Sequence, residues 1–148
     1  MKILACLSVI ATLGSVLHAE SPAPTPPPEA KLSSGVFNRD QLKVETLKTG
    51  VRRAVFDGPT ASVDKLHCHI TTLNPGESSG EPRVHLQEEI IVVEAGAIEA
   101  HFDGQVRTAG PGAVIFFAAH ATTFMRNVGT TPATYTVIYY LTPLTPKS

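Results

Sequence analysis

Along most of the chain, apolar and polar residues alternate with a period of two. Leu66, Cys68 and Ile70 alternate with Lys65, His67, His69 and Thr71, and Ile98, Ala100 and Phe102 alternate with Ala97, Glu99 and His101. Tyr135, Val137, Tyr139 and Leu141 form another such set, within a run that is β-branched or aromatic on both faces. Successive side chains of an extended chain point to opposite faces, so these runs read as strands. Turn chemistry separates them. Asn74-Pro75-Gly76 has Pro where φ must be near −65° and Gly where φ must be positive, the type II pattern. Asp103-Gly104 joins two short runs as a primed hairpin turn. Gly110-Pro111-Gly112 and Asn127-Val128-Gly129 break the later runs. The spacing predicts about nine or ten strands closing into an all-β, jelly-roll-like barrel over residues 36–142.

The alternation also assigns faces. His67 and His69 share the parity opposite to Leu66 and Ile70, which predicts an outer face or a subunit contact for both imidazoles. Cys68 falls on the apolar parity and reads as a small buried hydrophobe. His101 shares the parity of Glu99 and reads as outward-facing, and His120 reads as a solvated loop residue. Arg52-Arg53 precede Ala54, Val55 and Phe56 in a strand, where they either rim a pocket or blunt an edge.

Both ends of the chain lie outside this pattern. Met1-Lys2 supplies a positive start, Ile3 to Leu17 is too short an apolar run to span a bilayer, and Ala19 closes a cleavage site. Residues 1–19 are therefore expected to be a signal peptide, which leaves no membrane anchor after cleavage. Its removal takes away Cys6 and leaves Cys68 as the sole cysteine, so no internal disulfide forms. Export without paired cysteines fits a bacterial periplasmic or secreted protein. Residues 20–35 hold a run rich in proline, Ser21-Pro22-Ala23-Pro24-Thr25-Pro26-Pro27-Pro28, which reads as a stiff spacer. Residues 143–148 are the tail.

Composition narrows the function. With 12 basic and 13 acidic residues the net charge is −1, which excludes the basic stripe a nucleic-acid partner requires. Trp is absent and aromatics make up 6 %, so stacking platforms for bases or sugars are not the theme. The chemistry concentrates in Arg83-Val84-His85-Leu86-Gln87-Glu88-Glu89. His85 and Glu89 are four apart and share a parity, so an inward face would carry an imidazole and a carboxylate together. Those donors suit Zn, Mn, Fe or Ni, but two ligands fall short of the three or four of a tight site.

On these residues the chain resembles the cupin superfamily. The first cupin motif places a His-x-His, a Glu and a closing Gly in series. His85, Glu89 and Gly96 match its second His, its Glu and its last Gly, while Arg83 stands at the first His and the leading Gly is displaced to Gly76. In the second motif Gly112 and Asn127 match the ends, whereas Ala118, His120 and Thr123 stand where Pro, Gly and His belong. The likeness runs from Asp57-Gly58-Pro59-Thr60 through Pro132 and is to small, exported, single-domain bacterial cupins. It implies a cupin barrel (a double-stranded β-helix) and a homodimer. Arg83 cannot act as a metal ligand, Thr123 is a poor one, and a bidentate Arg83–Glu89 pair would replace the ion.

Two readings follow. In the first, an exported cupin without a cofactor binds a small polar ligand in a pocket formed by Arg83, His85, Glu89, Thr123, Met125 and Asn127, its metal site degenerate or absent. In the second, a divalent transition metal sits on His85, Glu89 and a recruited His120 in an enzyme of the dioxygenase or isomerase type. A metal-free isomerase or epimerase, with His85 as base and a Tyr as acid, is a variant of the second.

Overall fold

The computed structural model describes residues 30–146. The expected signal peptide and most of the Pro-rich spacer lie outside the described residues. Ten strands are formed: β1 (Val44–Leu47), β2 (Gly50–Gly58), β3 (Lys65–Leu73), β4 (Arg83–Val84), β5 (Glu89–Ala95), β6 (Ile98–Phe102), β7 (Gln105–Ala109), β8 (Val114–Phe117), β9 (Thr122–Asn127) and β10 (Ala133–Leu141). The only helix among the described residues is a 3₁₀ turn, Arg39–Gln41. Both expected turns form. Glu77 N–H donates to Asn74 O at 3.2 Å with Gly76 at φ 78°, and Asp103 and Gly104 take φ 49° and 76° in the β6–β7 hairpin.

The strands build a six-stranded sheet in the order β1-β2-β3-β10-β5-β8 and a four-stranded sheet in the order β4-β9-β6-β7. All their pairings are antiparallel. Thus β10, the last in sequence, inserts between β3 and β5, which is why its sequence is apolar or β-branched on both faces. The jelly-roll expectation holds. Between the sheets lies a core of Leu73, Ile91, Val93, Ile98, Phe117 and Tyr135, with Ala100, Ile115, Met125, Ala133 and Val137 completing it. Gly96 closes the β5–β6 turn at φ 79°, where a Cβ would meet the Ala133 Cα at 2.6 Å. That crowding is the physical reason for a glycine at the end of the first motif.

One expectation from parity is overturned. His67 and His69 face the barrel interior, not the outside. In the β3–β10 ladder Tyr135 is paired with Thr71, Val137 with His69 and Tyr139 with His67. Directly paired residues share a face, and Tyr135 and Val137 are core residues. The polar parity of β3 is therefore its inward one. Cys68 is buried, as expected, but on the outer face of the sheet. Residues 32–39 run over that face: Leu32 N–H donates to Pro59 O at 2.8 Å, Phe37 packs on Phe56, and Arg39 pairs with Glu94 at 2.7 Å.

Candidate functional site

The barrel encloses a cavity of about 220 Å³ lined from both sheets. Its apolar wall is Leu73, Phe117, Met125 and Val137, with Tyr135 alongside. Burial raises the pKa of the Tyr135 phenol, which stays a neutral hydroxyl bonded to Thr71. The rest of the lining is polar. Arg52, His69 and Thr71 enter from β2 and β3, while Arg83 enters from β4, His85 from the residue just after it and Glu89 from the start of β5. Thr123 of β9 lies directly across the ladder from Arg83.

Around His85 the hydrogen bonds fix a tautomer. Arg83 Nε donates to His85 Nε2 at 3.0 Å, and His85 Nδ1 lies 3.3 Å from Glu89 Oε1. A guanidinium only donates, so Nε2 carries the lone pair and Nδ1 the proton, with the carboxylate within ion-pair distance of it. The expected Arg83–Glu89 pair is thus replaced by a relay through the imidazole between them. Arg83 is exposed at the mouth, whereas the Glu89 side chain is nearly buried.

The β2–β3 wall carries a second cluster. His69 Nδ1 lies 2.9 Å from His67 Nε2, and Arg52 Nη2 is 3.3 Å from the latter and 3.4 Å from the former. His67 stacks on Tyr139 with ring centroids 4.5 Å apart. Burial, then the positive charge of Arg52, lowers the pKa of His69 to about 3, so this ring is neutral.

A family profile described as a cupin domain matches residues 69–139, from within β3 to within β10. Together with the two-sheet topology this decides the family. The chain belongs to the cupin superfamily. Solved structures agree on the fold. A cupin of the RmlC-like type from Shewanella frigidimarina is 17 % identical, with a TM-score of 0.60 over 75 % of this chain and 95 % of its own. A polyketide cyclase from Streptomyces resistomycificus is 18 % identical, with a TM-score of 0.61 over 73 % and 80 %. A sugar phosphate isomerase of the cupin superfamily from Silicibacter pomeroyi is 21 % identical, with a TM-score of 0.58 over 74 % and 77 %. No curated protein matches the chain.

Cupins commonly hold a metal; here His85 and Glu89 are the two donors at matching motif positions, and His85 is already engaged. The His85 nitrogen that would face an ion is bonded to Arg83, a permanent cation. Among the described residues no three His, Cys, Asp or Glu side chains converge as a ligand set. His120 is exposed, at φ 65° in the turn before β9, and its link to the site is a backbone bond from its N–H to His85 O at 2.7 Å. Its side chain does not line the cavity.

Of the residues singled out by sequence, Arg83, His85, Glu89, Thr123 and Met125 all line the cavity. Asn127 does not. It is 0 % exposed, donates Nδ2 to Leu73 O at 3.0 Å and Thr131 O at 2.9 Å, and accepts from Gly129 N–H at 2.9 Å. It is a tie between strand ends. Sequence reasoning missed His69 and left Arg52 undecided, because the face of each is set by strand pairing.

Proposed function

We propose that this cupin is an exported single-domain protein that binds a small carboxylate in its barrel without a metal ion. The observation that carries the reading is the pair of guanidinium groups, Arg52 and Arg83, lining one cavity in which Glu89 is the one carboxylate among the described residues, so that the cations outnumber it. Their positive charge is thereby left for a ligand anion, and arginine forks match carboxylates. At about 220 Å³ the cavity is below the usual range for drug-sized ligands, which favours an acid of a few carbons. Export rests on the N-terminal signal pattern, and fractionation of expressing bacterial cells should recover a chain beginning after Ala19 outside the cytoplasm.

The test is calorimetry on the mature chain with acetate, glycolate, oxalate and malonate against the matching amides. Carboxylates bind and amides do not. Arg52→Ala and Arg83→Ala each weaken binding by about tenfold or more, the range of one charge-assisted hydrogen bond. Equal binding of acids and amides would refute the reading.

A further inference from the structure

Strand β2 pairs regularly with β3 as far as Ala54 and resumes at Phe56, with a bulge between. Before the bulge its even-numbered residues face the cavity, since Arg52 pairs with Thr71 and Ala54 with His69. After it the odd-numbered ones do, since Asp57 pairs with His67. The extra residue puts Arg52 and Asp57 on one face, which plain alternation forbids. Between these two charges lie His67 and His69. The row runs Asp57 Oδ1, 3.1 Å to His67 Nδ1, then His67 Nε2, 2.9 Å to His69 Nδ1. Asp57 is half exposed at one end and His69 lines the cavity at the other.

The end groups orient every hydrogen. A carboxylate only accepts and a guanidinium only donates. A lone pair on His67 Nδ1 would face the Asp57 carboxylate and be repelled. The proton therefore sits on Nδ1, its N–H aimed somewhat off the line to that oxygen. Two lone pairs 2.9 Å apart would repel, so the N–H on His69 Nδ1 points at His67 Nε2, which Arg52 Nη2 also approaches at 3.3 Å. His69 is left with its lone pair on Nε2, which no described group engages.

We propose that Asp57 and His67 fix the tautomer of His69, so that its Nε2 selects, among carboxylates held by Arg52, those bearing a hydroxyl on the adjacent carbon. The proposal rests on the carboxylate reading above and narrows it to 2-hydroxy acids. Arg52 Nη2 lies beside the same imidazole, 3.4 Å from Nδ1. A carboxylate on that guanidinium meets the ring edge, and a hydroxyl one carbon away is within reach of Nε2. Arg52 and Arg83 are donors only, so among the ring and charged groups of the lining the acceptors are His69 Nε2 and Glu89, with the hydroxyls of Thr71 and Thr123 beside them.

The experiment is calorimetry at pH 8 with glycolate, acetate and methoxyacetate, whose hydroxyl is capped, alongside ¹⁵N NMR of histidine-labelled protein. Glycolate binds about tenfold tighter than the other two, the worth of one hydrogen bond, and the NMR shows an unprotonated His69 Nε2. Asp57→Asn, which can donate to His67 Nδ1 and reverse both tautomers, loses that tenfold preference while acetate still binds. Equal affinity for the three acids, or a protonated Nε2 in the wild type, overturns the proposal and leaves the carboxylate reading standing. Failure of all three acids to bind overturns both. The NMR result needs no variant, so misfolding of Asp57→Asn does not shelter the tautomer assignment.

Discussion

Restoring the two missing imidazoles should turn this barrel into a metal site. Arg83 and Thr123 are direct partners in the β4–β9 ladder, so side chains at these positions share a face with Cβ atoms about 5 Å apart. Arg83→His with Thr123→His adds two nitrogen donors next to His85. It also removes the guanidinium that holds His85 Nε2 at 3.0 Å. Glu89 then has only to give up a 3.3 Å contact to become the fourth ligand. Three His and one carboxylate meet the ligand count of a tight site. If zinc is present at about one hundred times its Kd, the folded variant gains about 2.7 kcal/mol. For a domain of this size that raises Tm by roughly 10 °C. Elemental analysis and thermal melts with and without zinc read the result. The wild type and Arg83→Ala, which removes the cation but adds no donor, should hold well under one equivalent and melt unchanged. A folded double variant without stoichiometric metal would refute the placement of these residues around one point.

Three further outcomes are expected. Asn127→Ala leaves two carbonyls and one N–H without the partners they have at 2.9–3.0 Å, and should cost about 3 kcal/mol in urea unfolding; a loss under about 1 kcal/mol would deny Asn127 its role as a tie. The second concerns acid stability. Because burial and Arg52 depress His69 from 6.5 to about 3, the unfolded chain takes up a proton that the folded one refuses. Stability is then complete above pH 6.5 and falls as pH drops towards 3, by on the order of 1 kcal/mol at pH 5 after discounting for solvent screening. His69→Gln should flatten this part of the curve, and an unchanged slope would contradict the assignment. Third, we propose a homodimer through the outer face of the six-stranded sheet. There Phe116 and Val114, 60 % and 66 % exposed on the edge strand, sit beside Ile90 and Val92. Phe116→Lys should give a monomer by sedimentation, and a wild type already monomeric at tens of micromolar would end the idea.

Local chemistry carried much of this protein's description. The period of two, the Asn74-Pro75-Gly76 turn and the Asp103-Gly104 hairpin act over a few residues and form as read. The motif spacing that ties His85, Glu89 and Gly96 together is also local, covering the approach to β5, the strand and its turn, and five of the six pocket residues named from sequence line the cavity. Asn127 broke the pattern because its partners, Leu73 and Thr131, come from other strand ends.

Tertiary structure decided which face of each strand is inside. Alternation divides a strand into two faces but does not label them, and the usual label, apolar inward, fails where the inner wall is itself a polar cavity. On β3 the apolar face found its cover in residues 32–39 on the outside, and His67 and His69 were turned inward by pairing with Tyr139 and Val137 of a strand some seventy residues away. The bulge between Ala54 and Phe56 then moved Asp57 to the face of Arg52. A register is set by the whole sheet, and a single inserted residue reverses every face beyond it.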